Sequence, residues 1–122
     1  MGAIPIADDV LAPEVGVIGF DDAASKLGIS TGKLRQLLRD GQLIAIKRDG
    51  ELLLPADFLG EGGPVKGLGG TLTVLADAGF GTTEMLSWLF AADESLPGVT
   101  PINALRTHHG TEVKRRAQAL GF

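Results

Sequence analysis

The spacing of apolar residues in the segment 20–40 predicts two short helices joined by a tight turn. Apolar positions over 22–27 fall on one face of a helix, and Gly28 follows them. Glycine adopts at little cost the left-handed conformation that ends many helices. Ser30 is placed to cap a second helix over 31–40. A short helix, a glycine turn and a second helix are typical of a helix-turn-helix.

The second helix has an apolar face and a basic face. At about 100° per residue its three leucines cluster on one side, while the opposite side carries cations and an amide, with no acid before Asp40. Arginine and glutamine can hydrogen-bond base edges, and lysine and arginine neutralise phosphates. This face predicts a recognition helix over 31–39 in the major groove of DNA; a solvated face without a ligand is the alternative interpretation. The candidate DNA-binding residues on it are Thr31, Gly32, Lys33, Arg35, Gln36 and Arg39.

A β-hairpin is predicted directly after this helix. Two strand-forming segments, 43–46 and 52–54, flank Asp49-Gly50, and Asp-Gly between such segments is a strong hairpin signal. Lys47 and Arg48 lie near the tip of this hairpin. The hairpin therefore predicts a wing over 47–51 whose two cations contact the DNA backbone. A solvated turn, in which they pair with the neighbouring acids, is the alternative.

Glycine and charge predict how the chain is divided. Residues 1–19 hold three acids and no base, which favours a flexible acidic tail. Six of the 18 glycines lie within 60–70, which favours a hinge. Leucines at helical spacing predict a helical subdomain over 71–122. The expected fold is thus α+β and mainly α, a winged helix-turn-helix at 20–59 with a two-stranded wing, plus this C-terminal helical subdomain.

Composition excludes several classes of function. The 122 residues carry a net charge of −4 and no cysteine, so neither a polycation nor a disulfide or thiolate-zinc protein is expected. His108 and His109 are neighbours whose side chains point apart, so no metal site is predicted, and no cofactor is predicted either. No arrangement of nucleophile and base indicates an enzyme. No apolar run is long enough to span a membrane, and a cytoplasmic protein at the nucleoid is expected.

Short motifs in the segment 20–59 carry a resemblance to known families. They are Ala23-Ala24, Leu27-Gly28-Ile29-Ser30, Leu37-Leu38, Asp40-Gly41-Gln42-Leu43 and Leu54-Pro55. Together they resemble the winged helix-turn-helix of the excisionase and MerR-like DNA-binding families. The stretch RQLLRDGQL, followed by TEMLSWLF, is similar to a family of small actinobacterial winged-helix DNA-binding proteins, which implies double-stranded DNA as partner and a role in transcription regulation. That family is linked with serine/threonine-kinase signalling through its tail, but here the first hydroxyl residue is Ser25.

A weaker resemblance concerns the C-terminal half. A tryptophan–leucine helix, a Pro-Gly loop and two further helices resemble the toxin-binding domain of certain antitoxins, and the alternative function is therefore a protein-interaction module acting through 71–122. Simple core packing explains the same residues. A homodimer is compatible with the sequence, although no heptad seam predicts one. The residues that carry this resemblance are Trp88, Leu89, Leu96, Pro101, Leu105, Gly110 and Val113.

Overall fold

The computed structural model describes residues 4–121, and within them the chain forms four short strands, six α-helices and one turn of 3-10 helix at Ala56–Phe58. The strands are β1 (Ile6–Ala7), β2 (Val17–Gly19), β3 (Ala45–Arg48) and β4 (Glu51–Pro55). The helices are α1 (Phe20–Leu27), α2 (Thr31–Arg39), α3 (Leu68–Asp77), α4 (Thr82–Phe90), α5 (Pro101–Arg106) and α6 (Gly110–Ala119). The predicted α+β, mainly helical fold class is confirmed.

The helix-turn-helix forms where local signals place it. Gly28 ends α1 with a φ of 71°, and the Ser30 hydroxyl accepts a hydrogen bond from the Lys33 backbone N–H at 3.0 Å. The first helix begins at Phe20, two residues earlier than predicted. Phe20 is buried in the core, and β2 leads directly into it, so tertiary packing extends the helix toward its N-terminus.

The predicted wing is the centre of a larger sheet. Strands β3 and β4 form the antiparallel hairpin, and Asp49 and Gly50 at its turn both have positive φ, 52° and 80°. Both central residues of a type I′ hairpin turn have this conformation. Strand β2 pairs antiparallel with β4 and strand β1 pairs parallel with β3, which gives the order β1-β3-β4-β2. The wing therefore has two additional strands beside the two predicted ones.

The segment expected to be a flexible tail supplies both of these edge strands. Ala7 and Leu11 are 2% and 8% exposed and belong to the hydrophobic core. Residues 4–19 thus differ from the predicted tail, and residues 1–3 lie outside the described part of the chain. The reason is that the open edges of the hairpin offer backbone partners to any nearby segment that can also bury apolar side chains.

The glycine-rich segment is an ordered turn rather than a hinge. The Gly60 N–H donates to the Gly63 carbonyl at 2.7 Å, and Leu59 and Pro64 form an antiparallel bridge. Helix α3 starts at Leu68, so the helical half begins three residues earlier than predicted. Backbone hydrogen bonds therefore fix the connection between the two halves.

The two halves share one hydrophobic core. Phe58 is fully buried, and its ring centroid lies 5.8 Å from that of Phe90 on α4. Arg106 on α5 donates to the backbone carbonyls of Asp57 and Leu59 at 2.9 and 3.0 Å. The helical half is thus the support on which the helix-turn-helix and the wing are held.

Candidate nucleic-acid interface

Helix α2 presents the predicted polar residues to solvent. Leu34 and Leu38 are fully buried and Leu37 is half-buried, which fixes the rotation of the helix. The opposite side is exposed along its whole length and holds all six predicted residues, Thr31, Gly32, Lys33, Arg35, Gln36 and Arg39. We call the three cations among them, Lys33, Arg35 and Arg39, the basic face.

Arg35 lies against the first residue of α1. Its guanidinium carbon is 5.2 Å from the centroid of the Phe20 ring, a cation–π geometry. This contact favours one position of the guanidinium, which forms no ion pair with a carboxylate of the described residues. Phe20 is a residue of this candidate interface that the sequence pattern did not assign to it, since its apolar character indicated only a core position.

Gln36 and Asp40 are hydrogen-bonded to each other. The Gln36 amide nitrogen donates to a carboxylate oxygen of Asp40 at 2.8 Å, four residues along the helix. This bond holds the amide at the C-terminal end of α2. The second N–H of this amide and its Oε1 acceptor stay available for a base edge.

Of the two wing cations, Arg48 is paired with a carboxylate and Lys47 is not, among the residues that the structure describes. Lys47 is exposed and faces outward from β3. The Arg48 guanidinium is held by Asp9, with Nε–Oδ2 and Nη2–Oδ1 distances of 2.6 and 3.1 Å. The Arg48 hydrogen bond holds the pKa of the Asp9 carboxyl below its ordinary value, and Asp9 raises the pKa of Arg48. The alternative interpretation of the sequence paired the wing cations with the acids of the turn; the acid that Arg48 contacts lies 39 residues earlier, where no local spacing could indicate it.

Four of the predicted DNA-binding cations carry a charge that no ion pair within the described residues neutralises. Among residues 4–121, no carboxylate forms an ion pair with the three cations of the basic face or with Lys47. These four side chains lie on α2 and on the outer end of the wing strand. The arrangement can hold an extended polyanion along the helix and the wing.

Helix α6 carries a run of three cations, Lys114, Arg115 and Arg116, and two of them form ion pairs within the protein. Arg116 forms ion pairs with Asp93 and Glu112, both at 2.8 Å, and Arg115 also pairs with Glu112. Hydrogen bonds from Ser95 lower the pKa of Asp93, and the bond from Arg116 lowers that of Glu112. These contacts join α6 to the loop after α4. Of the run, only Lys114 extends freely from the described surface.

The residues that resemble an antitoxin pack into the core. Leu89 and Val113 are fully buried, and Leu96, Pro101 and Leu105 are also buried. Trp88 is half-buried against the same core. Core packing accounts for this pattern without a protein partner. In the described part of the chain, no helix is both long and apolar enough to cross a membrane.

Together, the helix-turn-helix, the wing and the free cations define a winged helix-turn-helix protein with an attached helical half. A family model described as "DNA-binding protein Rv2175c, wHTH domain" matches residues 3–59, and one described as "Rv2175c C-terminal domain of unknown function" matches residues 65–121. The chain is 38% identical to "DNA-binding protein Rv2175c" of Mycobacterium tuberculosis, over 100% of this chain and 92% of that protein. It also matches the "NMR structure of Rv2175c" with a TM-score of 0.86 and 38% identity, over 99% of this chain and 91% of that one. The chain belongs to the Rv2175c family.

Proposed function

We propose that this protein binds double-stranded DNA, with α2 in the major groove and the β3–β4 wing along the backbone, and that it regulates transcription at the nucleoid, in the cytoplasm. The observation that carries the proposal is the exposed basic face of α2, unpaired among the described residues, together with the exposed and unpaired Lys47 on the wing. A recognition helix and a wing contact duplex DNA in this arrangement. The name of the Mycobacterium relative supports the same partner.

The net charge of −4 does not oppose this proposal, because local charge governs approach to DNA. Within α2 itself, every charged residue is a cation, and the first acid after its start is the capping residue Asp40. A phosphate that reaches the exposed side of α2 therefore meets only cations among the charged residues of that helix, even though the whole chain is acidic.

We expect the affinity for duplex DNA to fall steeply with salt. Each neutralised phosphate contributes about −0.9 to the slope of log K against log salt, so phosphate contacts by Lys33, Arg39 and Lys47, with Arg35 on a base edge, give a slope of roughly −3. Lys33→Gln should make the slope shallower by about 0.9. The measurement is a fluorescence-anisotropy titration at several salt concentrations.

The control is Lys114→Gln, which removes the same charge from α6. It should leave the slope unchanged, because Lys114 lies in the helical half. A wild-type slope near zero would contradict DNA binding by this surface.

Gly32 gives a second test, because the fold does not require glycine there. A Cβ at Gly32 would meet only the Ser30 hydroxyl, at 3.8 Å, and the residue has a helical φ. Gly32→Ala should therefore raise the free energy of unfolding by about 0.5–1 kcal/mol. We expect the same variant to bind DNA more weakly, because the added methyl group keeps the backbone of α2 away from the duplex.

Gly70→Ala is the matched control for this change. Gly70 lies in the first turn of α3, and an added Cβ there meets nothing within 4 Å. It should stabilise the protein by a similar amount and leave DNA affinity unchanged. Thermal denaturation and the anisotropy titration give both quantities. Equal DNA affinities of Gly32→Ala and the wild type would show that Gly32 does not approach the duplex.

The protein-interaction module remains the second candidate for the helical half, but no observation favours it. Five of the seven residues that suggested it are buried in the core, and Arg115 and Arg116 are paired internally. A role of the helical half in supporting the winged half accounts for the same features.

A further inference from the structure

The N-terminal segment holds Asp9 in a fixed position beside the wing. Ala7 pairs with Ile46 of β3, and the buried Leu11 anchors the chain two residues after Asp9. Between them, the Asp8 backbone N–H donates to the Thr83 hydroxyl at 3.0 Å. Asp9 is thus placed between two anchored residues, and its carboxylate is presented to Arg48 at high effective concentration.

The contact that Asp9 makes is the contact that a phosphate would make. Two N–H groups of Arg48, on Nε and Nη2, donate to the two oxygens of one carboxylate. Arginine forms the same two-pronged contact with phosphate. One pair of N–H groups cannot serve both anions at the same time. A phosphodiester that takes this side of Arg48 must displace Asp9.

The pairing also changes the local charge of the wing. With Arg48 neutralised by Asp9, Lys47 is the one free cation in the described β3–β4 hairpin, and Asp49 and Glu51 lie at the turn. The described hairpin then carries one unpaired cation, whereas α2 carries three. Release of Arg48 restores a second cation at this position.

We propose that Asp9 is an internal competitor of the DNA backbone for Arg48, and that it thereby lowers the affinity of the wing for DNA. This inference rests on the proposed function. The N-terminal segment becomes an affinity-determining part of the interface, although no residue of it needs to contact DNA. The alternative role, in which Asp9 orients Arg48 toward a phosphate, predicts the opposite effect of removing the carboxylate.

The test is Asp9→Asn in the full chain, measured with a duplex DNA probe. We expect binding about two- to fivefold tighter, the effect of an exposed ion pair. We also expect the slope of log K against log salt to steepen by about 0.9, because Arg48 then neutralises one more phosphate. Neither change should occur when Asp9→Asn is made in an Arg48→Gln background.

Asp8→Asn is the matched control, since it removes one charge from the neighbouring residue while Asp9 keeps its contact with Arg48. If Asp8→Asn raises the affinity for DNA as much as Asp9→Asn does, net charge alone accounts for the effect. If Asp9→Asn weakens binding, Asp9 positions Arg48 for the phosphate. Either result overturns the proposal. Wild-type binding that responds to Lys33→Gln but not to Asp9→Asn would overturn the competitor role and leave the proposed function intact. Absence of salt-dependent binding by the wild type would overturn both.

Discussion

Replacing Phe58 with alanine is expected to lower the free energy of unfolding of the whole chain by about 3–5 kcal/mol. Phe58 is fully buried in the turn that follows β4, and its ring packs against Phe90 of the helical half. Truncation removes the transfer free energy of the ring and leaves a cavity at the junction of the two halves. The loss of stability should therefore affect the winged half and the helical half together.

This prediction can be measured by chemical denaturation with two probes. Trp88 is the single tryptophan and lies on α4, so its fluorescence reports the helical half, whereas far-ultraviolet circular dichroism reports the whole chain. Coincident transitions are expected in the wild type and in Phe58→Ala, because one core joins the halves. Leu120→Ala, at a position 41% exposed, should change stability by less than about 0.5 kcal/mol. Two separate transitions would show that the halves fold independently.

Arg35→Ala is expected to reduce binding to the preferred DNA sequence by about 1–3 kcal/mol, and binding to random duplex by far less. Arg35 is exposed near the middle of α2, and its guanidinium lies over the Phe20 ring without an ion pair to a described carboxylate, so it is available for a base edge. Lys47→Ala should weaken binding to both duplexes by a similar factor, because a phosphate carries no sequence information. Competitive binding at one salt concentration, with a preferred sequence selected from random duplexes, measures both ratios.

The melting temperature of each variant serves as the folding control. Arg35→Ala also removes the contact with Phe20, which is worth about 0.5–1 kcal/mol at an exposed site, so a modest loss of stability is expected. Equal losses by the two variants on both duplexes would make Arg35 a phosphate contact rather than a base contact. No loss by either variant would show that the basic face and Lys47 are an ordinary solvated surface.

The winged half could be predicted closely because its signals act over a few residues. Gly28 supplies the left-handed turn, Ser30 supplies the cap, and Asp49-Gly50 supplies the hairpin turn. The bounds predicted for the recognition helix, 31–39, coincide with the observed α2. The periodicity of its leucines also identified which residues point inward, and hence which residues are exposed on the opposite side.

Only part of the candidate site could be predicted from the sequence. Its exposed residues follow from helical geometry, but their partners do not. Asp9 reaches Arg48 only after β1 has paired with β3, and Phe20 meets Arg35 only after α1 and α2 have packed. These contacts decide which predicted cations are free for a ligand and which one is already held.

The sequence by itself determined the helix-turn-helix, the hairpin and the polarity of α2, because each depends on backbone preferences and side-chain period within one short segment. Only the tertiary structure decided that residues 4–19 complete the sheet and that 60–70 is an ordered turn. Strands of two and three residues have too few positions to show an alternating pattern, and their hydrogen-bond partners come from distant parts of the chain. Their formation depends on the shared core, which brings those segments together only when the whole chain folds.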